Sequence, residues 1–221
     1  MRSDQNLNPR FLGSAKWTFQ RGSGGEVKNV IRNPDGSENV WTAFSHSGKE
    51  RNRLFLNQKG QGFINASSVS GADSILDGRS FVHWDFNRDG LPDLALVNAN
   101  GNLLQVFENE ITTGGNFVAV RLEGSAGREQ GGSNRDGIGA RVMVEAGGMQ
   151  ILRVLSAGEG FANANGRTLL IGIGKAERVD QARVLWPSGK VTVLGEVSSG
   201  ELIQIDEIEG LVDRRKYVVN R

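Results

Sequence analysis

The sequence predicts an all-β protein. Its 221 residues include 31 glycines and four prolines, and many of the glycines follow Asn, Asp or Gly, as is typical of tight turns. From Ala95 onwards, short apolar segments rich in branched and aromatic side chains recur at intervals of roughly ten residues. Helical periodicity is not sustained anywhere in the chain. We therefore expect an antiparallel β-sandwich or barrel-like domain in the C-terminal half, preceded by smaller β units.

Residues 1–50 are predicted to be an N-terminal β-hairpin segment. A turn-forming run at 32–36, Arg-Asn-Pro-Asp-Gly, separates the apolar stretches 27–31 and 40–44. Trp17 and Trp41 are interpreted as rings that cover the edge of a core. The alternative is that both rings line a ligand cleft.

The most informative stretch, 85–93, has the spacing D-x-N-x-D-G-x-x-D. Calcium prefers many oxygen ligands, and three carboxylates in so short a loop repel one another unless a cation lies between them. Gly90 allows the sharp turn that directs the oxygens inward. The predicted calcium ligands are the side chains of Asp85, Asn87, Asp89 and Asp93 and the backbone carbonyl of Leu91.

An EF-hand and a metal-free turn are the two alternatives for this loop. An EF-hand needs a Glu at position twelve and a helix on either side. Here position twelve is Leu96, and the flanks 81–84 and 94–97 are short and apolar, so the loop is expected to join two strands. A hairpin turn without metal stays open, because Asp, Asn and Gly also favour turns for conformational reasons.

Residues 51–111 resemble an FG-GAP (VCBS-type) repeat, the calcium-loop unit of integrin propellers and many secreted bacterial proteins. Besides the loop, the resemblance rests on the strand and turn at 52–57 and 60–63 and on the strand at 102–110. We find one complete loop, whereas a propeller takes at least four blades. The resemblance therefore implies a partial, propeller-blade-like calcium unit and not a closed propeller.

Strand signals continue regularly through the second half of the chain. Asn100-Gly101 and Gly147-Gly148 lie between apolar runs and predict hairpins. Trp186-Pro187-Ser188-Gly189 predicts a turn in which Trp186 packs across the hairpin, with sugar stacking as the alternative. The other strands are expected at about 116–122, 140–146, 149–155, 169–173, 181–186, 190–194 and 201–206, followed by a polar tail at 210–221.

Residues 112–209 resemble the ASPIC/UnbV domain. The residues that match its motifs, in the expected order, are 134–142, 158–161, 170–174 and 186–190. This domain commonly follows FG-GAP-type repeats, as in the C-terminal part of cartilage acidic protein and its bacterial relatives, and it is better known as an accessory module than as a catalyst. Asn134-Arg135-Asp136-Gly137 is interpreted as a plain turn, with a weak second cation site as the alternative.

Charge and composition restrict the classes of partner. Lys and Arg number 26 and Asp and Glu 25, so the net charge is +1 and we expect no concentrated basic field of the kind that drives nucleic-acid binding. The absence of cysteine excludes disulfides and thiolate zinc sites. No apolar run reaches the length of a membrane span, and 1–13 lacks the apolar core of a signal peptide. The calcium loop nevertheless favours an extracytoplasmic or secreted location, where free calcium is higher.

The sequence lacks the common catalytic signatures. The patterns G-x-S-x-G and H-E-x-x-H and the phosphate-binding glycine patterns do not occur. His46 is interpreted as a surface-loop residue, and His83 as facing solvent or the calcium loop. We expect a non-enzymatic, calcium-stabilised binding or protein-interaction module with a protein or carbohydrate partner, and exposed sheet edges that allow oligomers. The alternative is a carbohydrate- or peptide-acting enzyme or an accessory subunit of one.

Overall fold

The computed structural model describes residues 16–21, 27–32, 35–43, 50–58, 60–99, 103–111 and 115–217. The chain divides into two compact units. The first comprises Met1–Arg51 with Ile75–Asp77, and the second comprises Asn52–Ser74 with Gly78–Arg221. The second unit contains both the 85–93 loop and the C-terminal domain. No helix of the described residues has the length and apolar character needed to cross a membrane.

The first unit contains a three-stranded antiparallel sheet. Its strands, in spatial order, are β1 (Lys16–Arg21), β2 (Val27–Arg32) and β3 (Glu38–Ala43). Between β2 and β3, Asp35 Oδ1 accepts hydrogen bonds from the Ser37 backbone N–H at 2.9 Å and from the Ser37 hydroxyl at 2.6 Å. β2 and β3 pair antiparallel across this turn, and β1 pairs with β2 as a third strand that was not predicted. The side chains of Trp17, Trp41 and His46 lie outside the part of the chain that the structure describes.

The second unit begins with short strands around the 85–93 loop. The elements are β4 (Phe55–Asn57), β5 (Phe63–Asn65), the four-residue helix α1 (Ser67–Ser70), β6 (Gly78–Trp84), β7 (Asp93–Asn98) and β8 (Leu104–Phe107). β4 pairs with β5, and β6, β7 and β8 form an antiparallel meander in that order. The loop thus joins two strands, as the apolar flanks predicted, and is not an EF-hand.

A β-sandwich completes the second unit. Its strands are β9 (Asn116–Glu123), β10 (Arg141–Ala146), β11 (Met149–Val154), β12 (Leu169–Gly174), β13 (Arg178–Val179), β14 (Gln181–Leu185), β15 (Val191–Leu194), β16 (Val197–Ser198), β17 (Glu201–Asp206) and β18 (Gly210–Lys216). One sheet has the order β11-β10-β14-β15 and the other β12-β9-β17-β18, while β13 and β16 form a separate pair. The all-β class predicted from the sequence is confirmed.

The core lies between the two sheets because alternate residues of each strand point inward. In β10, Val142, Val144 and Ala146 are buried and the residues between them are more exposed. The strands of the second sheet contribute residues such as Val120 and Ile171 to the same cluster. This alternation, together with Gly147 and Gly148 at positive φ in the β10–β11 turn, confirms the hairpin predicted there.

Two features of the second sheet differ from the sequence-based expectation. β9 and β17 run parallel, with Leu202 opposite Ala119 and Asp206 opposite Glu123, whereas the other pairs of the sandwich are antiparallel. The predicted polar tail at 210–221 also contributes a strand, because Gly210–Lys216 pairs with β17. An edge strand buries few side chains, so its sequence has little of the apolar pattern that identifies an inner strand.

Glu207 joins three loops at one end of the sandwich. It is 4% exposed and accepts hydrogen bonds from the backbone N–H groups of Ser125 and Ser133, at 2.7 and 2.9 Å. The hydroxyls of both serines and that of Ser188 also donate to it. Burial favours the neutral acid, but the hydrogen bonds from Ser125, Ser188 and Ser133 together outweigh it and lower the pKa of Glu207 to about 2. Glu207 is therefore a buried, fully hydrogen-bonded carboxylate.

Candidate functional site

The 85–93 loop is closed by hydrogen bonds from its own backbone to its acidic and amide side chains. Asp85, which is 9% exposed, accepts from the N–H groups of Asp89 at 3.1 Å and Gly90 at 2.7 Å. Asn87 Oδ1 also accepts from the Asp89 N–H at 3.1 Å, and Asp89 Oδ1 accepts from the Leu91 N–H at 2.9 Å. These bonds orient the three side chains toward the inside of the turn.

Asp93 links the loop to the chain that follows β8. It is fully buried, and its two oxygens accept from the N–H of Phe86 at 3.0 Å and the N–H of Asn109 at 2.8 Å. The Asn109 side-chain amide in turn donates to the Pro92 carbonyl at 3.0 Å. Asn109 was missed by the sequence reasoning, because its contact with the loop spans sixteen residues.

The donor chemistry of the loop fits calcium. A carboxylate oxygen has more than one lone pair, so an oxygen that accepts a backbone N–H can still bind a cation. Burial raises the pKa of Asp85 above its usual value, the nearby Asp89 charge adds to the effect, and the hydrogen bonds from Gly90 and Asp89 only partly oppose it. Within the described residues, however, no group of three or more His, Cys, Asp or Glu side chains has an arrangement that could hold a metal. Calcium binding thus stays a prediction.

The loop packs against the outer face of the second sheet through Gly90. Gly90 has φ +90°, and a Cβ built there would lie 2.1 Å from Cε1 of Phe117 on β9. The ring of Phe117 contacts Tyr217 edge-on, with centroids 5.7 Å apart. Glycine at this position therefore serves close packing as well as the turn.

We expect Gly90→Ala to lower the free energy of unfolding by about 2 to 3 kcal/mol, because it combines an unfavourable positive φ with a steric clash. Urea unfolding measures the change. Gly127→Ala is the matched control, since Gly127 has φ +78° but nothing lies within 4 Å of the added Cβ. Equal losses in the two variants would contradict the packing of Phe117 on Gly90.

Tyr217 connects the loop to the end of the last strand. Its side chain lies beside Asp85, and its backbone N–H donates to the Gly200 carbonyl at 2.9 Å. Burial, followed by the negative charge of Asp85, raises the pKa of Tyr217 to about 12. Ala119 and Leu202, on the outer face of the second sheet, are 0% and 9% exposed. The second sheet is therefore covered on both faces near Ala119 and Leu202.

The free edge of β6 is bound by the segment between β11 and β12. The His83 N–H donates to the Asn165 side chain at 3.0 Å, and the Gly166 N–H donates to the His83 carbonyl at 3.3 Å. The side-chain amide of Asn163 donates to the Phe81 carbonyl. His83 Nε2 lies 3.4 Å from Glu159 Oε2, and both side chains are about half exposed. The motif segment 158–161 therefore lies beside the strand that leads into the loop.

A basic cleft of about 700 Å³ lies next to the loop. Its cationic lining residues are Arg88, Arg121, Arg153, Arg167, Arg215 and Lys216. Asp85 and Glu159 are the acidic residues among its lining side chains, and Trp84 and Tyr217 contribute rings. The sequence reasoning missed this cleft, because the six cations come from five different strands and loops and the net charge of the chain is only +1.

The other motif residues fold as turns. Asn134 both donates to the Ile138 carbonyl at 2.7 Å and accepts from the Ile138 N–H at 2.8 Å, and Asp136 forms an ion pair with Arg167. Residues 134–137 therefore fold as a hydrogen-bonded turn, as expected. Trp186 is 2% exposed and its Nε1 donates to the Thr192 hydroxyl at 2.8 Å, which confirms its packing across the β14–β15 hairpin.

A family model described as ASPIC and UnbV matches residues 130–212. The chain therefore contains an ASPIC/UnbV domain, as its four motif segments predicted. The match includes the Asn134 turn, the segment beside β6 and the first residues of β18. No curated protein sequence matches the chain.

Proposed function

We propose that this chain is a non-enzymatic, calcium-stabilised binding module in which an FG-GAP-type loop unit supports an ASPIC/UnbV domain. The calcium ligands would be the side chains of Asp85, Asn87, Asp89 and Asp93 and the carbonyl of Leu91. The observation that supports this most is the burial of Asp85 and Asp93 in a loop packed onto the domain. Buried carboxylates close together are stabilised by a cation that offsets their charge.

The loop residues would couple metal binding to the shape of the domain. Calcium would supply a divalent charge that keeps the carboxylates ionised and close together. Asp93 fixes the chain after β8 through Asn109, and Asp85 lies beside the Tyr217 side chain. Gly90 keeps the loop against Phe117. A firmly held loop would therefore stabilise the edge of the cleft that Asp85 and Arg88 line.

Calcium is expected to raise the melting temperature and a chelator to lower it, because an ion that binds only the folded loop stabilises by mass action. The gain is about 2.7 kcal/mol when free calcium is one hundred times the dissociation constant. Differential scanning calorimetry in millimolar calcium and in chelator measures it. Coincident melting curves would exclude the metal.

The position of the metal is tested by two substitutions. Asp89→Ala should abolish the calcium response, because Asp89 is a predicted ligand in the centre of the loop. Asp136→Ala is the control and should retain the response, since Asp136 lies in the 134–137 turn and pairs with Arg167. Loss of the response in both variants would place the ion elsewhere.

A further inference from the structure

We propose that the basic cleft binds an acidic carbohydrate, an oligosaccharide with carboxylate or sulfate groups. This deepens the binding role in the proposed function and rests on it. The cleft is bounded by the 85–93 loop, by the outer face of the second sheet and by the 153–170 segment. All three belong to one compact unit, so its walls are parts of a single folded body.

Size and charge indicate a multiply anionic ligand of small-molecule size. A volume of about 700 Å³ lies within the range of pockets that bind small molecules, so the cleft has room for a short oligosaccharide. Six cationic side chains face two carboxylates in the lining, Asp85 and Glu159. An excess of positive charge in a concave site attracts negatively charged ligands and raises their local concentration.

Two of the arginines are available to bind a ligand. In the part of the chain that the structure describes, no carboxylate forms an ion pair with Arg121 or Arg153, whereas Arg167 pairs with Asp136 and Arg215 with Asp213. A guanidinium group binds carboxylate and sulfate oxygens through two parallel N–H bonds. Arg121, on β9, and Arg153, on β11, reach the cleft from different sheets, so they can hold anionic groups on separate sugar units.

The remaining lining favours a sugar over other anions. Trp84 and Tyr217 provide ring surface of the kind on which sugar rings pack. Ser156 and Thr168 offer hydroxyls, and Glu159 can accept hydrogen bonds from sugar hydroxyl groups. A single-stranded nucleic acid or an acidic peptide has fewer hydroxyl donors for each anionic group, so it would form fewer hydrogen bonds with these side chains.

The test is isothermal titration calorimetry of the full chain in calcium with trigalacturonate, an alginate trisaccharide and a sulfated galactose trisaccharide. At least one should bind, and more weakly as salt is raised. Fully methyl-esterified trigalacturonate keeps the sugar and loses the charge, so we expect it to bind at least tenfold more weakly than the acid. The double variant Arg121→Ser/Arg153→Ser should also lose at least tenfold in affinity.

Arg183→Ser is the matched control, because Arg183 is exposed on β14 and does not line the cleft. It should bind like the parent. Failure of all three acidic sugars at millimolar concentration, or equal binding by the double variant and the parent, would overturn the proposal. So would equal binding of triglutamate or of a trinucleotide.

The calcium-induced rise in melting temperature is measured on the same variants. If that rise persists while no acidic sugar binds, the cleft assignment is wrong and the calcium-stabilised module stands. If sugars bind but calcium has no effect, the metal assignment fails and the cleft stands. Release of smaller sugars from a bound trisaccharide would contradict the non-enzymatic assignment.

Discussion

Trp186→Ala should lower the free energy of unfolding by about 3 to 5 kcal/mol, as truncation of a buried aromatic side chain does. The ring is 2% exposed, lies in the sandwich core, and approaches Gly137 of the neighbouring turn, where a Cβ would lie 3.4 Å from Cζ3. The substitution also removes the hydrogen bond from Nε1 to Thr192. Urea unfolding at one fixed calcium concentration measures the loss.

Thr192→Val separates the two contributions to that loss. It removes the acceptor of the Trp186 Nε1 hydrogen bond and leaves the ring in place, so we expect a cost of about 1 to 3 kcal/mol. A Trp186→Ala protein as stable as the parent would mean that the ring does not pack in the core. Such a result would also return Trp186 to consideration as a sugar-stacking residue.

Glu207→Gln should destabilise the protein by about 3 kcal/mol at neutral pH, because the buried carboxylate accepts five hydrogen bonds that strengthen with its charge. The folded-state pKa is about 2 against an ordinary 4.5. A carboxyl group whose pKa is lower in the folded state than in the unfolded state stabilises the fold when it is ionised. This contribution is present above about pH 4.5, the unfolded-state pKa, and is lost as the pH falls toward 2.

The measurement is urea unfolding at several pH values between 7 and 2.5. The parent should lose stability across the acid range, and Glu207→Gln should lose less, because its side chain does not titrate. Glu209→Gln is the control, since it makes the same chemical change at an exposed position two residues away. If Glu207→Gln and the parent show the same acid sensitivity, the carboxylate does not hold the three loops.

The local features of this fold could be predicted from the sequence because they depend on neighbouring residues. Gly147-Gly148 and the turn after Trp186 specify hairpins through backbone conformation, and alternation such as that of β10 specifies which residues face inward. The apolar flanks of 85–93 likewise predicted a loop between strands. The calcium itself stays a prediction, since it depends on how the loop oxygens are arranged in space.

The features that the sequence did not reveal depend on contacts between distant residues. The basic cleft assembles Arg88, Arg121 and Arg153 from three separate strands or loops, and no local pattern relates them. Asn109 reaches Asp93 only because β8 returns beside β7. The strand at Gly210–Lys216 was missed because an edge position imposes little apolar patterning.

From the parallel pairing of β9 with β17 we expect the second sheet to be completed late in folding. β9 ends at Glu123 and β17 begins at Glu201, so the two central strands of the second sheet are about 80 residues apart in the chain. Closing so long a loop costs conformational entropy before the contacts between the strands form. The β10–β11 and β14–β15 hairpins need no such closure and can form early. During synthesis, β9 has an unpaired edge until β17 leaves the ribosome, and throughout that interval the nascent chain is exposed to mispairing with other strands.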